Sequence, residues 1–311
     1  MRFKSFSQIN LTHFLIIFTT LLFLGRAYQA FFWDLPLRSF FWDESLLKAP
    51  VELLTNMTWR EYVTSPLIEK FTIAISFVMG ATLLIAAINN LTFIFSKDKK
   101  WYYNKLNLAA FVVLFCISLL SAKDKFWRMG QLIEYSIQFG SPLAVYYLIK
   151  LNEQIDSKLL AYLKIISGFT FIGHGLYALG FYPVPGYFID MTINILGTTE
   201  DQSIIILYLA GILDIIFAIA IFLPKIEKYA LCYGVFWGFA TAIARLWANF
   251  YTDFMFNSFS QWTFEVLVRL PHGAVPLFLL IYLLKSNKRK ISAANERSKT
   301  TSTKIELSPS A

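Results

Sequence analysis

Apolar residues in this chain come in runs about as long as a membrane is thick. Such runs lie near 11–33, 67–95, 105–122, 128–149, 160–182, 204–223, 229–248 and 264–284. They are continuous rather than alternating, and most approach or exceed the roughly 20 residues a helix needs to cross a bilayer. Charged residues make up only 15% of the chain, against about 25% in an ordinary soluble domain. An all-α integral membrane protein with eight transmembrane helices is the expectation.

The eight runs read as four followed by four. Gly25-Arg26, then Phe31-Phe32-Trp33 and Pro36, is answered by Gly173-His174, then Phe181-Tyr182 and Pro185. Phe139-Gly140-Ser141-Pro142 is answered by His272-Gly273-Ala274-Val275-Pro276. The spacing predicts two tandem four-helix bundles, parallel repeats of one another, over 1–150 and 151–285. The basic, Ser- and Thr-rich tail over 286–311 has no apolar period and is expected to be disordered. Sites in membrane proteins often sit inside or between such repeats.

The net charge of +8 is a topology signal rather than a nucleic-acid footprint. With eight spans, fifteen Lys and Arg near helix ends fall on the side of the termini, among them Arg2, Lys4, Lys97, Lys99, Lys100, Lys225 and Lys228. Seven fall on the other side: Arg38, Lys48, Arg60, Lys70, Lys123, Lys125 and Arg128. The positive-inside rule then places both termini in the cytoplasm, in the cytoplasmic (inner) membrane of a bacterial cell, with anionic lipid as a further contact. The partners expected are the lipid bilayer, another membrane or redox protein, and a small molecule, with no nucleic acid. Cys116 and Cys232 sit in apolar runs without a CxxC pattern and are expected as buried free thiols. The connection at 183–203 opens with two prolines and a glycine. It is expected to hold a short interfacial helix over 187–196, a connector more than a lid.

Ionisable residues within apolar spans are costly and usually face a bundle interior. The second half has one on every span: His174, Asp214, Arg245, and Arg269 with His272. At about 1.5 Å of rise per residue, His174, Asp214 and His272 are expected to converge near the midplane, with Arg245 and Arg269 closer to the outer surface. The result is a polar shaft open to the outside. Glu265, Arg269 and His272 share a helical face, so Arg269 can pair with Glu265. Tyr177 shares the face of His174. The first half carries a thinner set: Arg26 in the place of His174, Gln138 in the place of His272, and Glu134 one turn above Gln138. The competing structural reading makes Asp214 a clasp for Arg245 or Arg269 and makes each His an interhelical hydrogen-bonding group.

Several chemistries fit this set. Two buried imidazoles can ligate haem b, but an Asp and two Arg crowd the site and no CxxCH attachment motif exists, so haem b is disfavoured. Guanidinium groups repel a cation, so no metal is assigned. A quinone can accept hydrogen bonds from His and Tyr177 while aromatic rings stack on it. An anionic small molecule fits the two arginines. No residue is assigned a catalytic role, and whether the chain is an enzyme is left open.

Leu22-Phe23-Leu24-Gly25-Arg26 and Phe171-Ile172-Gly173-His174-Gly175, each ending a first helix ahead of an aromatic-proline loop, resemble the DoxX-like membrane proteins. The stretch from Trp33 to Glu44 is similar, more weakly, to the HTTM group of polytopic proteins. The DoxX resemblance implies an accessory or quinone-linked redox component, although this chain has two fused units and no appended soluble redox domain. The alternatives are a transporter or binding protein for a small molecule or anion opening to the outer side, and a non-catalytic structural membrane partner.

Overall fold

The structure, a computed structural model, describes residues 10–96 and 102–306, with side chains over 10–96 and 105–288. Among these residues it is helical with no strand. Seven helical segments are long and apolar enough to cross a membrane: Leu11–Phe32, Pro66–Phe95, Lys105–Asp124, Ser157–Ala178, Glu200–Ala220, Glu227–Ala248 and Thr252–Lys288. Their apolar surface stays uncovered. Ile73, Phe77 and Val78 on one helix and Ile205, Leu209, Ile216 and Ile219 on another are exposed. A soluble monomer rarely leaves such continuous apolar faces bare, and this is the build of a multi-pass membrane protein.

In chain order the helices are α1 (Leu11–Phe32), three short helices α2 (Arg38–Phe41), α3 (Glu44–Thr55) and α4 (Trp59–Val63), then α5 (Pro66–Phe95) and α6 (Tyr102–Asp124). Next come α7 (Met129–Glu134), α8 (Ser136–Lys150), α9 (Ser157–Ala178), α10 (Gly186–Leu196), α11 (Glu200–Ala220) and α12 (Glu227–Ala248). The chain closes with α13 (Met255–Leu267) and α14 (Leu270–Glu306). Their starts follow ordinary capping chemistry. Asn10 accepts from Thr12 and His13 amides, Asp156 from the Leu159 amide, and Thr199 with Gln202 forms a reciprocal capping box.

The fourth expected span, 128–149, is not one helix. It breaks at Tyr135 into α7 and α8, and neither piece alone has the length of a spanning helix; only the two in series, over 129–150, do. The break frees the Ile137 amide, which donates to Thr170 Oγ1 of α9 at 2.9 Å. That bond satisfies a backbone group that the low-dielectric interior would otherwise penalise. The eighth span breaks too, between α13 and α14, just ahead of Pro271, whose ring removes a donor and disfavours helix at the residue before it. The connection expected over 249–263 is instead mostly α13. The tail from 286 continues α14 as far as Glu306, because it holds Lys, Ala, Arg and Glu and meets no Pro or Gly within that stretch. Residues 307–311 lie outside the described ones. Cys116 and Cys232 are free but exposed rather than buried, since their faces of α6 and α12 point away from the bundle.

Packing has a regular pattern. α1 packs mainly on α5, and α9 on α11; α6 packs on α8, and α12 on α14. Across the halves, α7 and α8 rest on α9, while α13 and α14 rest on α1. Two glycines receive the broken ends. A Cβ on Gly173 would lie 2.6 Å from the Glu134 amide nitrogen at the end of α7. A Cβ on Gly25 would lie 2.8 Å from Leu267 Cβ at the end of α13. Both contacts require glycine, and both set the level at which the polar residues meet.

Candidate functional site

The break between α13 and α14 and the break between α7 and α8 lie against α1 and α9, and the buried polar residues gather around them. His174 on α9 faces His272 on α14, ring centroids 5.4 Å apart and edge to face. His174 Nδ1 lies 3.9 Å from a Glu134 carboxylate oxygen on α7. Glu134 also accepts from Gln131 Nε2 at 3.1 Å. Arg269, the last residue before α14, is ion-paired and hydrogen-bonded to Glu265 one turn earlier. Arg245, near the end of α12, has its guanidinium over the Tyr187 ring at 4.7 Å and the Phe188 ring at 5.6 Å, both from α10.

The first-half residues do not build a separate site. Arg26 on α1 donates to Gln138 Oε1 on α8 at 2.6 Å and to Gln29 Oε1 at 2.5 Å, and it lies over the Tyr135 ring at 5.2 Å. Glu134, expected as a first-half counterpart, belongs to His174 of the second half, because α7 packs on α9. Tyr177 is buried against Tyr182, with ring centroids 5.1 Å apart.

Asp214 departs from expectation. It meets neither His174 nor His272 and clasps neither arginine. Its carboxylate accepts from Tyr233 Oη at 2.7 Å. Tyr233 precedes Arg245 by twelve residues on α12, about 18 Å along the axis, so Asp214 lies deep in the bundle and the arginines lie near the α10 end.

A cavity of about 400 Å³ connects these two levels. His174, Arg245 and Arg269 line one end and Asp214 the other; between them the wall is apolar, with Met191, Ile195, Leu207, Ala210, Ala240 and Ala244 among its residues. α10 supplies Phe188, Met191, Thr192, Ile195 and Leu196. It is therefore a wall of the cavity rather than a plain connector, and it covers the end at which the shaft was expected to open. His272 and Tyr177 do not line the cavity. Among the described residues, no group of three His, Cys, Asp or Glu is placed to hold a metal ion.

One property separates this region from the rest of the protein. Among the described residues, nine buried side-chain nitrogen and oxygen atoms have no hydrogen-bond partner, and they belong to Arg26, Glu134, Gln138, His174, Tyr177, Arg245, Arg269 and His272. Both ring nitrogens of His272 are among them. Unsatisfied buried polar groups cost about 1–3 kcal/mol each, and their concentration in one place marks a site rather than a packing accident. The sequence pointed to His174, His272, Arg245 and Arg269 by depth, to Tyr177 by a shared helical face, and to Arg26, Gln138 and Glu134 by the correspondence of the two halves. It did not point to Tyr233, whose partner role follows from the register of α11 against α12, nor to Tyr187 and Phe188. Their only sequence signal is an aromatic pair directly after the helix-stopping Pro185-Gly186.

Comparison with protein-family models, with curated proteins and with solved structures finds no match to this chain.

Proposed function

We propose that the chain is a multi-pass protein of the cytoplasmic membrane, both termini inside, that binds a small membrane-dissolved molecule in the second-half cavity. The ligand is held by a polar, acceptor-bearing head. A quinone head is the DoxX-like version of this reading, with the protein an accessory or quinone-linked component. The distribution of basic residues supports the orientation. The matched packing of the two halves supports a tandem origin: first helix on second, third on fourth, and each broken fourth helix seated on the other half's glycine. Gly25-Arg26 and Gly173-His174, which carry the family resemblance, occupy corresponding places in that packing.

The observation that carries the binding reading is the set of unpartnered donors and acceptors beside an otherwise apolar cavity. Ligand sites are mostly apolar concavities with a few convergent polar groups, and Arg and His nitrogens without protein partners supply those groups here. The direct test is to purify the protein in mild detergent, extract bound small molecules and identify them by mass spectrometry. Wild type carries a stoichiometric amphiphile, and His174→Ala and Arg245→Ala lose it while staying folded. An empty wild-type extract from native membranes, repeated in nanodiscs, defeats the reading. A visible spectrum of the same sample with a Soret band would restore haem.

A further inference from the structure

We infer that the ligand is an anionic amphiphile taken sideways from the bilayer, its head on Arg245 and Arg269 and its chain in the gap between α11 and α12. This rests on the binding reading above and names the ligand's chemistry.

The charges come first. The cluster contains three buried guanidinium groups, Arg26, Arg245 and Arg269, the buried Glu134 carboxylate and the partly exposed Glu265 carboxylate. Arg269 is ion-paired to Glu265, and Arg26 is occupied by neutral amides. Arg245 has no ion pair among the described residues and is held by aromatic faces. With both imidazoles neutral, one positive charge is in excess at this end of the cavity, since the Asp214 carboxylate lies at the other end beside Tyr233. Arg245 and Arg269 are each only 6% exposed, and the Nε of each is unpartnered. An unbalanced charge away from water is costly. A neutral carbonyl head would accept hydrogen bonds but leave the charge unbalanced. A carboxylate or phosphate does both, and it matches the planar donor fork of arginine.

The walls come second. From Arg245 to Trp237 the cavity follows α12 for eight residues, about 12 Å, between apolar side chains. At the far end Asp214 already accepts from Tyr233 and offers no cation. The polarity therefore runs one way, with the head at the α10 end and the chain below it.

The mouth comes third. Tyr229, Phe236 and Ile243 are spaced by seven and share a face of α12; they are 72%, 70% and 51% exposed. This is the lipid-facing stripe of the helix, and Phe236 also lines the cavity. Consecutive α11 and α12 are committed to α9 and α14 and touch each other less than α5 and α6 do. The cavity thus reaches the membrane interior directly beside Phe236, and a ligand with a chain enters without crossing water.

The experiment measures thermal stabilisation in phosphatidylcholine nanodiscs by three probes: monododecyl phosphate, a decyl-substituted benzoquinone and methyl phosphate. The tailed anion should act at concentrations about tenfold below either of the others, the worth of one charge-assisted hydrogen bond. Arg245→Gln should erase that advantage. Ala240→Trp, which fills the gap and leaves the head site alone, should weaken both tailed probes and spare methyl phosphate. A quinone acting as strongly as the tailed anion overturns the anionic head and leaves the binding reading intact. Methyl phosphate acting as strongly overturns the chain and the lateral route. If no probe stabilises the protein, both readings fall together.

Discussion

Arg26 and His174 each follow a glycine in the first long helix of their half, yet they end in opposite situations. The guanidinium of Arg26 is taken up by Gln29, Gln138 and the Tyr135 face. His174 and its neighbour His272 meet each other but leave three ring nitrogens without partners. A groove between α1, α5 and α13, reached from α1 by Leu24 and Ala27, has an essentially apolar lining that also includes Phe31, Leu84 and Phe264. The second-half cavity ends on two arginines. A polar residue that finds its partners within the protein stabilises a fold, and one that does not is available to something else. Substitutions at corresponding positions should therefore behave differently in the two halves.

The largest difference is expected at the glycines. A Cβ on Gly173 strikes backbone, the Glu134 amide nitrogen at 2.6 Å and its Cα at 2.7 Å, whereas on Gly25 the nearest atoms are the Leu267 and Val268 side chains at 2.8 and 3.0 Å. Backbone cannot move aside without displacing α7. Gly173→Ala should cost about 3 kcal/mol or more and Gly25→Ala about 1–2, in the range for overpacking, read by unfolding in mixed detergent micelles. Equal costs would show that the two contacts are equally rigid.

The arginines come next. Arg269→Ala leaves Glu265 mostly buried without its cation and should cost roughly 3 kcal/mol, the lower end for a broken buried pair. Arg26→Ala strands two neutral amides and should cost about 1–2 kcal/mol. The same unfolding assay ranks them, and the reverse order would place the charge balance in the first half.

A smaller contrast lies at Gln138 and His272. Gln138→Leu takes an acceptor from a buried guanidinium and should cost about 1–2 kcal/mol. His272→Phe replaces two unpartnered nitrogens with a ring of similar shape and should be near neutral, within about 0.5 kcal/mol, or stabilising. A large loss for His272→Phe would mean that this imidazole is satisfied within the protein, and the site argument would weaken accordingly.

Much of this could be read from the sequence, and the failures have physical causes. Length and hydropathy locate the long helices within a few residues because burial in lipid leaves little freedom there. They miss the break at Tyr135, since average hydropathy does not change where a Thr170 hydroxyl takes over one backbone bond. They also miss α13, whose apolar residues sit in a segment with polar neighbours. Depth arithmetic brings His174 and His272 together even though α14 starts only two residues before His272. It misplaces Asp214, whose level matches Tyr233 and not the histidines, because α11 begins at Glu200, four residues before the expected start. The lining of the cavity by α10 is a tertiary fact; no periodicity in 186–196 encodes which helices it covers.

The two connections at the same end of the bundle are held in different ways. The first, α2 to α4, is tied down by charge: Asp43 to Lys123 of α6, and Arg38 to Glu69 of α5. The second, α10, is held by Arg245 under two aromatic rings and by Asn194 Nδ2 donating to the Ala248 carbonyl at 3.1 Å. Hydrogen bonds from the Lys123 ammonium and then the Ser45 hydroxyl hold the Asp43 carboxyl down to about 2 from an ordinary 3.8. A depressed carboxylate stabilises the folded arrangement fully above its unfolded value and loses that contribution as pH falls through the folded one. The first connection should therefore loosen between about pH 4 and pH 2, while α10, with no such carboxylate in its anchoring contacts, should not. Limited proteolysis by an acid-active protease, comparing cuts within 38–63 and within 186–196, reads both at once. Lys123→Met should reproduce the loosening of the first connection at neutral pH and leave the second unchanged. If both connections loosen together on acidification, α10 depends on the same charges, and the arginine end of the cavity is less independent of the first half than its aromatic packing implies.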